Sequence, residues 1–403
     1  MTAPGPLPPR DEPPPMSAAL PLSRFKVLDL TYFRAGPNCA RQLADWGAEV
    51  VKVELPAALD DGRSGVREGS DYQNTHRNKQ GITLDLKNPA GRALFERLVA
   101  GADVLVENFR PAVKHRLGIG PAALERINPR LVYGSISGFG QAGPDADRAG
   151  LDQIIQGEGG LMSITGLPGQ GPLRVGTAVG DLCAGLFLAQ GILIALLERE
   201  RSGRGQWVHT SLIESMIAML DFQATRWLID GEVPPQAGND HPTHIPTGVF
   251  RTADGHINVA ASGDRLYDRL CRAVGRPELI DDPRFATSPQ RSLNRAALSA
   301  ALAARTSAAW IEALNAAGVP CGPILTVDQV FADPQVRHLG MAQAVTDGEA
   351  PPQTLVAHPV STEAGRNPLR HRAPKPGEHN EAVYGALGLS PEEIARLRRE
   401  NVI

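Results

Sequence analysis

Cysteine is scarce and scattered: there are four in 403 residues, Cys39, Cys183, Cys271 and Cys321, and no two form a CxxC pair. That excludes a readable disulfide framework or paired-cysteine zinc site and fits a reducing cytoplasm. HExxH spacing is missing too, so no metal site is expected, and there is no GxSxG elbow of a serine hydrolase. Long Lys/Arg blocks are absent and the net charge is -3, which argues against nucleic acid or a membrane surface as partner. Small molecules and other protein chains remain. The stretch MTAPGPLPPRDEPPPMSAALPLS lacks the continuous apolar region of a signal peptide. Its proline density predicts a disordered tail over residues 1–22, with Met16 an alternative translation start. The apolar run after Asp181 carries Gly185, Gln190 and Gly191. It falls short of the roughly 20 residues of a membrane span and reads as a core helix of a soluble protein.

What is present is an alternation. FKVLDL, AEVVKVE, GITLDL, DVLVENF, LVYGSIS and QWVHTSL read as strands, and NCARQLADWG, AGRALFERLVAGA, AALERI and the run after Asp181 read as helices between them. Such alternation predicts a parallel sheet covered by helices. ESMIAMLDFQATRWLID reads as a further helix. The chain exceeds what one hydrophobic core usually supports, so a second domain is expected. After the linker-like GEVPPQAGNDHPTHIP, GVFRTADGHINVAAS predicts a hairpin turning at Asp254-Gly255. Helical patterns follow in DRLYDRLCRAV and NRAALSAALAARTSAAWIEALNAAG, then a strand in VPCGPIL. Ser390-Pro391-Glu392-Glu393 is a capping box opening a last helix.

Asp181 heads the longest apolar run. It reads as an N-cap, or as a nucleophile or general base that the helix dipole keeps ionised and fixed in direction; the flanking Gly176, Gly180 and Gly185 leave room for a bulky ligand. GFGQAG (Gly138 to Gly143) matches a dinucleotide fingerprint, but Pro144, Asp145 and Asp147 stand where its helix should begin, so a coincidental glycine-rich loop is expected. The first βα turn, TYFRAGPNCA, is a candidate ligand cradle. His76, Arg77, Lys79 and Lys87, and also Arg110, Lys114, His115 and Arg116, are phosphate-binding candidates or a solvated surface.

Taken in order, DLTYFRAGP, GAEVVKVE, RNKQGITLDLK, DVLVENFRP, SISGFGQAGP, LMSITG, RVGTAVGD and RGQWVHTSL closely resemble the class III coenzyme A transferase family, the CaiB/BaiF type. TADGHINVAA, DDPRF, GVPCGPI and GEH extend the resemblance over nearly the whole chain. It implies an α/β fold: a Rossmann-like large domain with a parallel sheet plus a smaller α+β domain, in an interlocked homodimer. The expected layout is a large domain over 23–230 completed by 375–403, linkers at 231–245 and 329–374, and a small domain at 246–328.

The resemblance makes Asp181 the nucleophile that accepts the acyl group of an acyl-CoA and then CoA itself, as an anhydride and a thioester, before the acid acceptor completes the exchange. CoA and acyl-CoA enter as substrates, and the chemistry requires no metal or permanently bound cofactor. The family's CoA contacts fall on Arg34 and Ala35, on Leu84, Asp85, Leu86 and Lys87, on Asn108, Phe109 and Arg110, and on Arg116; Asp152 matches an acidic position near the active site of formyl-CoA transferases. Leu55 replaces an arginine that contacts CoA in those enzymes, and their glycine-rich lid has no counterpart around Asn239 to Val249, so oxalate specificity is not implied. Alpha-methylacyl-CoA racemases share the fold, but their proton-abstracting histidine is Leu151 here. That enzyme and a non-catalytic acyl-CoA-binding paralogue are the alternatives. Arg148, Arg174 and His244 are candidates to meet a substrate carboxylate, which would suit a dicarboxylic acid such as succinate.

Overall fold

The computed structural model describes residues 20–60, 62, 65–346 and 352–403; the expected tail lies outside them up to residue 19. The chain forms two compact units, one of residues up to 155 with 178–219 and 339–403, the other of 156–177 with 220–338.

The first unit is built on six parallel strands: β1 (Lys26–Asp29), β2 (Glu49–Glu54), β3 (Lys79–Thr83), β4 (Val104–Glu107), β5 (Val132–Ser137) and β6 (Trp207–Ser211). Their order is β3-β2-β1-β4-β5-β6, so the direction of winding reverses between β1 and β4. The central strands β1, β4 and β5 are almost wholly buried, as expected of a sheet covered on both faces. Leu28, Val51, Ile82, Phe95, Leu105 and Tyr133 form one continuous core with Tyr384, Ile394 and Leu397 of the carboxy-terminal helices Asn380–Ala386 and Pro391–Arg399. Those helices also satisfy the edge strand: Asn380 Oδ1 accepts the Thr83 N–H at 3.0 Å and Tyr384 Oη donates to the Thr83 carbonyl at 2.7 Å. The capping box predicted at Ser390 is present.

The helix Val179–Ser202 packs over β5, with Leu188 and Ile192 against Gly134. The run expected to fall short of a membrane span is in fact part of a 24-residue helix, long and apolar enough to cross a membrane by length and composition because the helix continues into Glu198–Ser202, but half (50%) of its most apolar stretch is buried. At its far end Arg199 is buried on Asp103 (2.8 Å) and on the Arg130 carbonyl (3.0 Å). Because it leads into β6 from the opposite direction, its amino terminus lies at the carboxyl edge of the sheet, where open α/β sheets bind ligands.

Two predicted elements are divided. The helix expected over ESMIAMLDFQATRWLID is Leu212–Met219 and Phe222–Asp230, broken at Asp221, whose φ is 48°. The alanine-rich pattern is Ala296–Leu302 and Ser307–Ala316, since the Thr306 side chain accepts the Ala309 N–H and begins a new helix. In the second unit β7 (Thr247–Arg251), β8 (His256–Ala260) and β9 (Cys321–Pro323) form an antiparallel sheet over a core including Phe250, Tyr267, Phe285 and Trp310. The Asp254-Gly255 turn joins β7 to β8 as predicted, and Asp254 anchors it by accepting the Ser307 N–H at 2.7 Å.

Back in the first unit, Val179–Ser202 crosses the helix Ala35–Asp45 closely at Gly185. A Cβ there would stand 2.7 Å from the Ala35 carbonyl oxygen and 2.6 Å from Asn38 Nδ2. Gly185→Ala should therefore destabilise the protein by about 1–3 kcal/mol despite alanine's better helix propensity. A urea midpoint equal to or above that of the wild type would refute this close packing.

Candidate active site

The loops after β1 and β4 flank the point where the strand order reverses, and one side chain holds them together. Asn108 Oδ1 accepts the Tyr32 N–H at 2.9 Å while its Nδ2 donates to the Tyr32 carbonyl at 2.7 Å. The Tyr32 and Phe109 rings lie 6.3 Å apart above this joint. Below it is a set of buried charges. Asp29, at the end of β1, pairs with Lys79 at 2.8 Å and accepts the Thr31 N–H and hydroxyl. Lys52 Nζ donates to the Thr31 carbonyl, and Lys79 Nζ donates to that of Pro37 at 3.0 Å. The first loop is thus held on both sides as it delivers Arg34, whose guanidinium pairs with Asp71 at 2.8 Å.

Asp181 is the third residue of Val179–Ser202, not its N-cap; Ala178 occupies that position and supplies no side-chain bond. The missing cap comes from a distant part of the chain: Asp152 Oδ1 accepts the Gly180 N–H at 2.9 Å. This leaves the Asp181 carboxylate, half-buried, free of the capping duty expected of it. Burial first, and the Asp152 charge second, push its pKa up to about 6; Arg34 opposes them and Asp71 adds to them.

Of the residues singled out from sequence, the structure brings Arg34, Ala35, Asp152 and Asp181 to one place, with Asn108 and Phe109 joined to them through Tyr32. The LDLK segment follows β3 at the same edge, two strands from β1. Leu84 is in the apolar core, Asp85 accepts the Lys87 N–H at 2.9 Å, Leu86 is half-buried and Lys87 is exposed. Arg110 and Arg116 are exposed at the two ends of the helix Pro111–Arg116. Arg148 is exposed, pairs with Asp145 at 2.9 Å and lies over the Phe139 ring; Arg174 and His244 belong to the second unit.

Four of the basic residues read as phosphate ligands or solvated surface are neither. Arg77 is buried on Asp45 at 2.7 Å, Lys79 on Asp29, and Lys114 on Glu107 at 2.9 Å, while His76 is buried beside Lys79 with its pKa pushed well down by desolvation and that lysine. Each of the three cations reaches a carboxylate from another element, which a linear cluster of charge does not reveal. GFGQAG is a loop: no helix begins between it and Asp152, and Gly138 and Gly150 approach so closely that a Cβ on either would strike the other's backbone. Asp29, Lys52 and Asp71 escaped sequence reasoning, although a charged residue inside the apolar run VVKVE was a signal.

The model of CoA-transferase family III matches residues 22–380. The chain belongs to that family. Among its members, the succinyl-CoA–D-citramalate CoA-transferase of Chloroflexus aurantiacus is 37% identical over 397 residues, 95% of this chain and 98% of the relative. The succinate–glutarate CoA-transferase of Agrobacterium fabrum is 38% identical, covering 91% of this chain and 96% of its own. The crystal structure of a CaiB/BaiF family protein from Brucella suis superposes with a TM-score of 0.79 at 37% identity, over 92% of this chain and all (100%) of the other. The family α/β fold and its CoA-transferase class are thus shared by this chain.

The raised proton affinity of Asp181 has a stability cost of definite sign. Its folded pKa of about 6 lies above the ordinary value of 3.8, so the folded state holds the proton more tightly. The ionised carboxylate then subtracts from stability above pH 6, and the penalty disappears as the pH falls toward 4. At about 1.4 kcal/mol per tenfold change in proton affinity, discounted for partial exposure, Asp181→Asn should stabilise the protein by about 1–2 kcal/mol at pH 8 and hardly at all at pH 4. Denaturant curves at the two pH values check this.

Proposed function

We propose that the protein moves CoA from an acyl-CoA donor to a carboxylic acid acceptor, with Asp181 as covalent nucleophile and dicarboxylic acids such as succinate among its substrates. One observation carries the reading: a half-buried carboxylate stands on the first turn of a helix at the carboxyl edge of the sheet, and the cap of that helix is supplied by Asp152. A pKa of about 6 leaves Asp181 ionised at neutral pH and more basic than an ordinary aspartate, hence a better nucleophile.

The Asp181 carboxylate attacks the thioester carbonyl, forming an acyl-aspartyl anhydride and releasing CoA as thiolate. The thiolate attacks the aspartyl carbonyl, giving an aspartyl-CoA thioester and the free donor acid. The acceptor carboxylate attacks that thioester, forming a second anhydride and again the thiolate. The thiolate then takes the acceptor's acyl group, so that the new acyl-CoA leaves and Asp181 is regenerated. Backbone N–H groups of the glycine-rich turn before the helix, other than that of Gly180, which is taken by Asp152, are candidate donors to the tetrahedral intermediates.

Names of relatives support the substrate class: succinyl-CoA paired with D-citramalate, succinate with glutarate, and acetyl-CoA with oxalate in Acetobacter aceti. The interlocked homodimer belongs to the proposal as well, supported by the exposed apolar residues Leu186, Phe187, Ile194 and Leu197 on the helix that carries Asp181. Its place of work is proposed to be the cytoplasm, in keeping with four free cysteines.

Intact-protein mass spectrometry after mixing with succinyl-CoA should show an acyl or CoA adduct on wild type and none on Asp181→Ala. An adduct on the variant, or neither adduct nor CoA exchange on wild type with any donor, would overturn the reading. Asp152→Asn keeps the acceptor for Gly180 and removes the charge, so the acidic limb of kcat/KM should move below pH 6. Light scattering at micromolar concentration should give the mass of two chains; a single-chain mass would remove the dimer.

A further inference from the structure

We propose that Arg34 is the clamp for the acid substrates: its guanidinium exchanges Asp71 for the non-reacting carboxylate of a dicarboxylic acid bound beside Asp181. The proposal rests on Asp181 being the nucleophile.

Arg34 immediately precedes Ala35, whose carbonyl oxygen touches the helix of Asp181 at Gly185, one turn beyond the carboxylate. The backbone around it is pinned. The Arg34 carbonyl accepts the Asn38 N–H at 2.9 Å, and Asn38 Nδ2 donates to the Leu182 carbonyl at 3.2 Å. Upstream, Thr31 is held by Asp29 and Lys52, and Tyr32 by Asn108. The guanidinium therefore pivots on a fixed stem next to the reacting group.

Among the charged groups that shift Asp181, Asp152 from the helix Asp152–Glu158 and Asp71 from the helix Ser70–His76 are acidic and Arg34 is the cation. A dicarboxylic acid brings two more negative charges into this neighbourhood. Once Asp181 carries CoA as a thioester its own charge is gone and Asp152 is engaged with Gly180, so Arg34 is left facing Asp71.

The resting pair is also easily exchanged. It is a single contact through Nη2 between side chains 31% and 62% exposed, a geometry in which an ion pair contributes little. A guanidinium offers five donors in a planar fork, so a carboxylate shielded from water beside it can be gripped by two of them. Asp71 holds the side chain in place while the site is empty and yields when the substrate arrives. A monocarboxylic acid has no second carboxylate to present and gains nothing from the exchange.

The test compares succinate with butyrate, acceptors of equal carbon count, using one fixed acyl-CoA donor and reading kcat/KM for each acid. Wild type should favour succinate. Arg34→Gln should cut the succinate-to-butyrate ratio by about ten- to a hundredfold, as expected for loss of a charged hydrogen bond. Arg34→Lys should restore part of it, and Asp71→Asn should raise it by removing the competitor. An unchanged ratio in Arg34→Gln, an equal fall for both acids with a higher KM for acyl-CoA, or a wild type without preference would each overturn the clamp. Should Arg34→Gln fail to fold, the ratio in Arg34→Lys and Asp71→Asn decides. A protein that forms the Asp181 adduct but shows no change in ratio loses the clamp alone, whereas absence of the adduct in wild type removes the underlying reading.

Discussion

The site depends on an ion pair with no access to water. Asp29 and Lys79 face each other at 2.8 Å, both fully buried, joining the central strand β1 to the edge strand β3 across β2. Burial opposes both charges. The nearby Lys79 and Lys52 nevertheless hold the Asp29 carboxyl below its ordinary range, while desolvation lowers the affinity of Lys79 for its proton. Removing one partner of such a pair would strand a charge in the core, a loss of about 3–5 kcal/mol in comparable cases. What the pair provides is direction. Asp29 takes the Thr31 N–H and hydroxyl, Lys79 the Pro37 carbonyl and Lys52 the Thr31 carbonyl, so the loop between them has little freedom to move.

That rigidity passes to Asp181 through the two helices that meet at Gly185. The loop after β1 ends in Arg34 and opens Ala35–Asp45, and the absence of a side chain at Gly185 lets that helix lie directly on Val179–Ser202. Asp181 is therefore positioned from two directions: along its own helix, anchored at the far end by Arg199, and across the helix pair. Asp152 adds an electrostatic constraint. By filling the amino terminus of the helix it occupies the place where the dipole would most favour a carboxylate, and its charge adds to the burial that raises the proton affinity of Asp181. A carboxylate that is half-buried, crowded by a second carboxylate and still ionised near neutrality is suited to the proposed attack on a thioester.

The sequence carried the architecture because local periodicity and packing agree. Apolar β-branched runs became β1 to β6, the Asp254-Gly255 turn became a hairpin, and Ser390 with Glu393 became a cap. Where local signals were misleading, a partner from elsewhere had intervened. Arg77, Lys79 and Lys114 belong to basic stretches in the chain but lie against Asp45, Asp29 and Glu107 in the fold. The helical pattern from Glu214 to Asp230 continues through Asp221, yet the backbone there takes a positive φ and two helices result.

By itself the sequence determined the alternation of strands and helices, the parallel sheet, the family and the identity of Asp181 as the carboxylate to examine, because each is written in spacings of a few residues or in ordered motifs. Only the tertiary structure decided that Asp152 caps the helix of Asp181, that Arg34 rests on Asp71, and that two lysines and an aspartate lie beneath the first loop. These are contacts between residues 21 to 50 positions apart. Charges so separated in the chain meet only when the sheet and helices have already brought their backbones together.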